Sequence, residues 1–142
     1  MRIILFGNGM GGSVSLEKLS QMGHDILVVC PPGGKFQDWH ESILEKSAQL
    51  GVECIDPEEP NEKEVVKKVK KFKPDVIFSI LYHKILSREV LSLVEHSINF
   101  HPSLLPSYRG TAPLIWAMVN GEREVGITAH QMNERVDMGD YY

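Results

Sequence analysis

Two residues stand out by type and position: Asn99 and His101. Asn99 and His101 sit two apart at the end of an apolar run, Ser97 to Phe100, and a Pro- and hydroxyl-rich turn follows. In a strand, residues i and i+2 share a face. If Ile98 to His101 ends a strand, both side chains project at its carboxyl end, where open α/β sheets take their ligands. An amide and an imidazole side by side can aim two donors at one oxygen, as an oxyanion formed by addition to a carbonyl requires. The imidazole can also move a proton near neutral pH. The pair lacks a carboxylate, and Asp137, in a glycine-containing turn after the last full strand, could reach back to supply one. The same pair also fits a hydrogen-bonded Asn and His at a strand end, and spacing alone does not separate the two readings. Ser103 and Ser107 lack the G-x-S-x-G context of a nucleophile, and no His, Cys or carboxylate set has metal-ligand spacing.

The elements that must position these residues read as follows. Arg2 to Phe6 is a short apolar strand, followed by Gly7-Asn8-Gly9-Met10-Gly11-Gly12 and a helix carrying Leu16, Leu19 and Met22, with Gly23 at its end. Ile26 to Cys30 and Val76 to Leu81 are continuous apolar runs of the kind buried on both faces. Gln37 to Leu50 reads as a helix and Val52 to Ile55 as a weak strand. Asn61 with Glu64 resembles a capping box ahead of a helix bearing Val65, Val66, Val69 and Phe72. Ser87 can cap a helix with Val90, Leu91 and Val94. Ala112 to Asn120 is a short helix, and Glu124 to His130 an alternating, half-buried, antiparallel strand with Val125, Ile127 and Ala129 on its apolar face. Val136 to Tyr142 turns into a further strand. This alternation predicts a doubly wound, mostly parallel α/β sheet with helices on both faces, in one domain spanning residues 1–142.

Composition narrows the partners. The 142 residues carry a net charge of −4, with 42% hydrophobic and 24% charged residues, which gives no nucleic-acid footprint. No apolar run approaches the ~20 residues of a membrane span, and the strand-like start argues against a signal peptide. Cys30 and Cys54 read as buried, reduced thiols of a cytoplasmic protein. The glycine loop matches G-x-G-x-x-G, but no acid ends the second strand to hold a ribose, so a substrate-contacting loop at Gly9 and Met10 is the preferred reading over a dinucleotide site. The lysines Lys63, Lys67, Lys68, Lys70, Lys71 and Lys73 read as a solvated helix face. His24, His40, His83 and His96 read as structural or exposed.

Several separated motifs carry a resemblance. Asn99-Phe100-His101-Pro102-Ser103-Leu104-Leu105-Pro106, Tyr108-Arg109-Gly110-Thr111-Ala112-Pro113 with Trp116, Gly121-Glu122, Gly126-Ile127-Thr128 and Asp137-Met138-Gly139-Asp140 are similar to the signature of the 10-formyltetrahydrofolate-dependent formyltransferases. The family includes methionyl-tRNA, nucleotide-sugar and glycinamide ribonucleotide formyltransferases. The resemblance implies a Rossmann-like formyltransferase fold, 10-formyltetrahydrofolate as co-substrate, and Asn99, His101 and Asp137 as the catalytic set. It implies a folate pocket lined by Leu81, Tyr82, Ile85, Leu86, Arg135, Val136 and Asp140. The acceptor side would fall to Gly9, Met10, Ser103, Leu104, Tyr108, Arg109 and Gly110. Family catalytic domains continue beyond the Asp turn, so the resemblance also implies a domain cut short at Tyr142.

The acceptor follows from charge. Pro31 to His40 contains one basic residue, Lys35, where tRNA-formylating relatives carry a basic insertion, and the chain is acidic. Electrostatic support for tRNA is weak, so a primary amine on an amino-sugar nucleotide or similar small molecule is expected ahead of methionyl-tRNA. The alternatives are a formyltetrahydrofolate hydrolase, to which Thr128-Ala129-His130 bears a faint likeness, and a non-catalytic folate-binding domain.

Overall fold

The structure, a computed structural model, describes residues 1–34 and 42–142. Six strands form one sheet: β1 (Arg2–Gly7), β2 (Asp25–Val29), β3 (Glu53–Ile55), β4 (Val76–Ile80), β5 (His96–His101) and β6 (Thr128–Gln131). Their spatial order is β3-β2-β1-β4-β5-β6. The pairings from β3 through β5 are parallel, and β5–β6 is antiparallel. The helices are α1 (Gly9–Gln21), α2 (Ile43–Leu50), α3 (Lys63–Phe72), α4 (Arg88–Leu91) and α5 (Pro113–Val119). The expected doubly wound α/β sheet is therefore the observed fold.

Strand alternation divides the core in two. On one face Ile4, Phe6, Leu27, Val29 and Ile77 meet Val65, Val66 and Val69 of α3 and Val90 of α4. On the other, Leu5, Ile26 and Val28 meet Leu16 of α1 and Ile43 of α2. Successive residues of β1 thus serve opposite layers, as period-two geometry demands. The apolar stripe of α3 is buried as expected, and Lys68, Lys70 and Lys71 lie on the same helix away from it.

The differences from expectation are local. Helix α2 begins at Ile43, capped by Ser42, which accepts from the Leu44 N–H, with Glu45 closing a capping box; the part of the expected helix at 37–41 lies outside the described residues, as does His40. Asn61 does not cap α3. Glu62 holds that position without a side-chain bond, and Asn61 instead donates to the Ile85 carbonyl at 2.8 Å and accepts from the Ser87 N–H at 2.7 Å. A side chain that satisfies two loop groups 24 and 26 residues away gains more bonds than a cap offers. Ser87 caps α4 as expected.

Strand β6 starts later than the alternation suggested, at Thr128, and its inward face is the polar one. Val125 and Ile127 are exposed whereas His130 is 2% exposed. The alternation locates the strand, and His130 is its buried residue because Asn99 of β5 and Asp137 stand against it. After Met132 the chain turns back on β6. Tyr141 forms a single antiparallel bridge with His130, in place of the further strand expected.

Candidate functional site

The carboxyl ends of β1, β4 and β5 lie side by side. Gly7 pairs with Ile80, and Ile80 pairs with Phe100. The glycine loop, the segment after β4 and the turn after His101 therefore leave the sheet together. Asn8 donates its N–H to the Ile80 carbonyl at 3.1 Å, and a β-carbon on Gly11 would stand 2.8 Å from Leu81 Cδ1. A side chain at Gly11 would therefore have to displace the exposed Leu81 side chain. Gly7 and Gly12 likewise press against each other and against Ile43, so much of the glycine pattern is spent on packing.

Asn99 and His101 project from the same face of β5, and the antiparallel register sets His130 opposite Asn99 and Thr128 opposite His101. The turn after β6 brings Asp137 back against them. Asp137 is 7% exposed, and its carboxylate has four neighbours. Gly110 donates its N–H to Oδ2 at 2.8 Å, and Asn99 Nδ2 donates to Oδ1 at 3.4 Å. His130 Nε2 lies 3.2 Å from Oδ1, and His101 Nδ1 lies 3.5 Å from Oδ2. Two features hold the turn in place. Asp137 itself has a φ of 52°, and Gly139 packs so tightly on the Gln131 carbonyl that no β-carbon fits there.

Hydrogen-bond matching constrains the protons. The far nitrogen of His130, Nδ1, lies 3.0 Å from the Gln131 carbonyl, and that of His101, Nε2, lies 2.8 Å from the Tyr108 carbonyl. A carbonyl only accepts, so each far nitrogen carries a hydrogen. The nitrogen facing Asp137 is then a lone pair in a neutral ring and a donor only in an imidazolium. Asp137 is matched by the Gly110 N–H and the Asn99 amide, and Asn99 Nδ2 also lies 3.2 Å from His130 Nε2. The cluster thus places two imidazoles and one amide around a single buried carboxylate.

The turn from Pro102 to Gly110 is closed by its own bonds. Ser103 Oγ donates to the Ser107 carbonyl at 2.8 Å, and Thr128 Oγ1 donates to the Ser103 carbonyl at 2.7 Å while accepting from the Leu105 N–H at 3.1 Å. Tyr108 has a φ of 56°, which aims its carbonyl at His101. The phenol of Tyr108 donates to Glu122 at 2.7 Å, and this carboxylate raises the pKa of the exposed hydroxyl.

The sequence-derived candidates therefore separate. Asn99, His101 and Asp137 converge. Gly110 joins them through its backbone, and Tyr108 through its carbonyl. Ser103 is buried with its hydroxyl committed to the turn. Leu104, Arg109 and Met10 are exposed, while Gly9 is buried in the first turn of α1. Leu81 and Ile85 are exposed, whereas Tyr82 and Leu86 turn into the core beside Phe6 and Val90, so contact from these two to a ligand would run through backbone. Burial pushes the Tyr82 phenol up. Among the described residues, its oxygen is the one buried side-chain polar atom with no hydrogen-bond partner. Arg135, Val136 and Asp140 lie exposed around the Asp137 turn. The residue that sequence reading passed over is His130. Its signal was present, since it shares the polar face of β6 with Thr128, but only the β5–β6 register shows that this face meets Asn99.

Comparison with known proteins adds the following. The sequence pattern of the formyl transferase family, Formyl_trans_N, matches residues 1–142. A methionyl-tRNA formyltransferase of Caldanaerobacter subterraneus subsp. tengcongensis is 40% identical over 147 residues, covering 99% of this chain and 48% of that protein. The chain thus spans about half the length of this curated relative. Among solved structures, phosphoribosylglycinamide formyltransferase of Bacillus halodurans superposes with a TM-score of 0.80 at 21% identity, covering 99% of this chain and 76% of that one. A 4-N formyltransferase of Francisella tularensis gives 0.70 at 20% identity, covering 99% and 53%.

Proposed function

The chain belongs to the formyl transferase family, and from that premise we propose that it moves a formyl group from 10-formyltetrahydrofolate to a primary amine, with Asn99, His101 and Asp137 as the catalytic residues. The observation that carries the reading is the buried convergence of an amide, two imidazoles and a carboxylate at the carboxyl end of β5. The acceptor nitrogen attacks the formyl carbon, and the carbonyl oxygen gathers negative charge. The amide of Asn99 and the imidazole of His101 donate to that oxygen, as oxyanion stabilisation requires. In the structure His101 Nε2 donates to the Tyr108 carbonyl, so an oxygen already occupies a donor position, and the substrate oxygen takes it as the 108–110 segment shifts. Asp137, with its two imidazoles, takes up the proton that the amine loses. The proton returns to the folate nitrogen as the carbon–nitrogen bond to the donor breaks. For the donor, Leu81, Ile85 and Val136 offer exposed apolar side chains, suited to a flat heteroaromatic ring, and the 81–86 and 135–140 backbone supplies polar partners.

For the acceptor, a small amine such as an amino-sugar nucleotide is the preferred reading. The net charge is −4, and the depression beside the 102–108 turn is lined by Glu122 and Glu124, which repel a phosphate backbone. A second reading, methionyl-tRNA, is favoured by the 40% identity to a protein of that name. An acceptor screen with 10-formyltetrahydrofolate separates the two. It should include amino-sugar nucleotides, charged initiator tRNA and a no-amine control, run on this chain and on any longer form. Formate release without amine would instead identify a hydrolase. Replacing His101→Ala or Asp137→Ala is expected to cut transfer by about 10²-fold or more with the fold retained; unchanged turnover in either variant would overturn the assignment.

A further inference from the structure

The two cysteines lie outside the proposed site, on the opposite half of the sheet. Cys54 is in β3 opposite Val28, and Cys30 follows β2 directly, its N–H bonded to the Ile55 carbonyl at 2.9 Å. Their sulfurs are 3.6 Å apart, in hydrogen-bonding contact. Cys30 is fully buried, whereas Cys54 is only partly covered. The surroundings are unequal. The bond from the Cys30 thiol holds the Cys54 thiol below the ordinary range against the opposing effect of burial, with Ser47 and Lys68 assisting. The same contact and burial push Cys30 up.

We propose that Cys30 and Cys54 are a peroxide-oxidisable pair, in which the accessible Cys54 is oxidised first and the buried Cys30 resolves it to a disulfide. The Cys54 thiolate attacks one oxygen of hydrogen peroxide. A sulfur–oxygen bond forms, the oxygen–oxygen bond breaks, and the departing hydroxide takes a proton to become water. Cys54 is then a sulfenic acid, oxidised by two electrons. Cys30 sulfur attacks the Cys54 sulfur, the sulfur–oxygen bond breaks, and the Cys30 proton leaves with that oxygen as a second water. Two thiols and one peroxide thus give one disulfide and two waters. The pair is diagonal across the ladder rather than directly opposed, so closure must draw β3 along β2. Strand β3 allows this, being three residues long and at the sheet edge. A bridge closed against such displacement is readily reduced.

The test is a peptide map of the whole chain without reductant, after titration with hydrogen peroxide. The expected result is an intramolecular link between the Cys30 and Cys54 peptides, with loss of two hydrogens, reversed by dithiothreitol. In Cys30→Ala, dimedone should trap sulfenic acid at Cys54, and in Cys54→Ala, Cys30 should stay unmodified at the same dose. In the unoxidised wild type, iodoacetamide should label Cys54 about tenfold or more faster than Cys30. Both thiols still free after peroxide, links only between chains, or faster labelling of Cys30 would each overturn the proposal. The wild-type map stands even where a variant fails to fold.

Discussion

The sharpest test of the site is the coupling between His130 and Asp137. The pair is 3.2 Å apart, with side-chain exposures of 2% and 8%. In the imidazolium form of His130, with an effective dielectric constant near 20, the two charges at that distance would attract by roughly 5 kcal/mol. Desolvation of the two groups takes back much of this, and charge-assisted hydrogen bonds in proteins retain about 1.5–3 kcal/mol net. His130→Ala also strips Asp137 Oδ1 of its nearer partner, leaving the 3.4 Å contact from Asn99. The single variant should therefore cost about 2–4 kcal/mol. His130→Ala, Asp137→Asn and the double variant, each unfolded in urea, form a double-mutant cycle. The expected coupling is about 1.5–3 kcal/mol. A coupling below about 0.5 kcal/mol would show that the 3.2 Å contact between His130 and Asp137 does not link the two side chains energetically.

Two further substitutions probe the frame of the site. Gly139→Ala forces a methyl group onto the Gln131 carbonyl and should destabilise by about 2–4 kcal/mol while depressing formyl transfer through displacement of Asp137; urea midpoints and turnover measured together check this, and a stable, fully active variant would refute it. Tyr82→Phe removes a buried hydroxyl that has no hydrogen-bond partner, so stability should hold within about 0.5 kcal/mol or rise by up to about 1 kcal/mol. A loss beyond about 1 kcal/mol would reveal a partner for that oxygen.

Much of the architecture is written in local patterns. The apolar runs at Ile26 to Cys30 and Val76 to Leu81 state their own burial on both faces, although β4 ends at Ile80 and Leu81 is exposed, and their alternation with helices of 3.6 period leaves a doubly wound sheet as the economical arrangement. Asn99 and His101 could be paired from sequence because two residues on one strand share a face whatever else the chain does. Placing Asp137 with them required the family motifs, since 36 residues separate it from His101 in the chain.

Other features depended on relations between distant segments. Asn61 looks like a helix cap, yet it serves the Ile85–Ser87 loop because the fold brings that loop within reach. Val125 and Ile127 look like the apolar face of the expected strand, yet they precede β6 and are exposed, while His130 takes the interior because the register with β5 sets it against Asn99 and Asp137. Period alone reports that a strand has two faces; which one is buried depends on what stands opposite. The sequence by itself therefore determined the element order, the two-layered core and the Asn–His pair. The tertiary structure decided the placement of His130 against Asn99 and Asp137, the occupation of His101 by the Tyr108 carbonyl and the contact of Cys30 with Cys54. Those depend on distances of a few ångströms between residues far apart in the chain, which pairing register sets and local propensity does not.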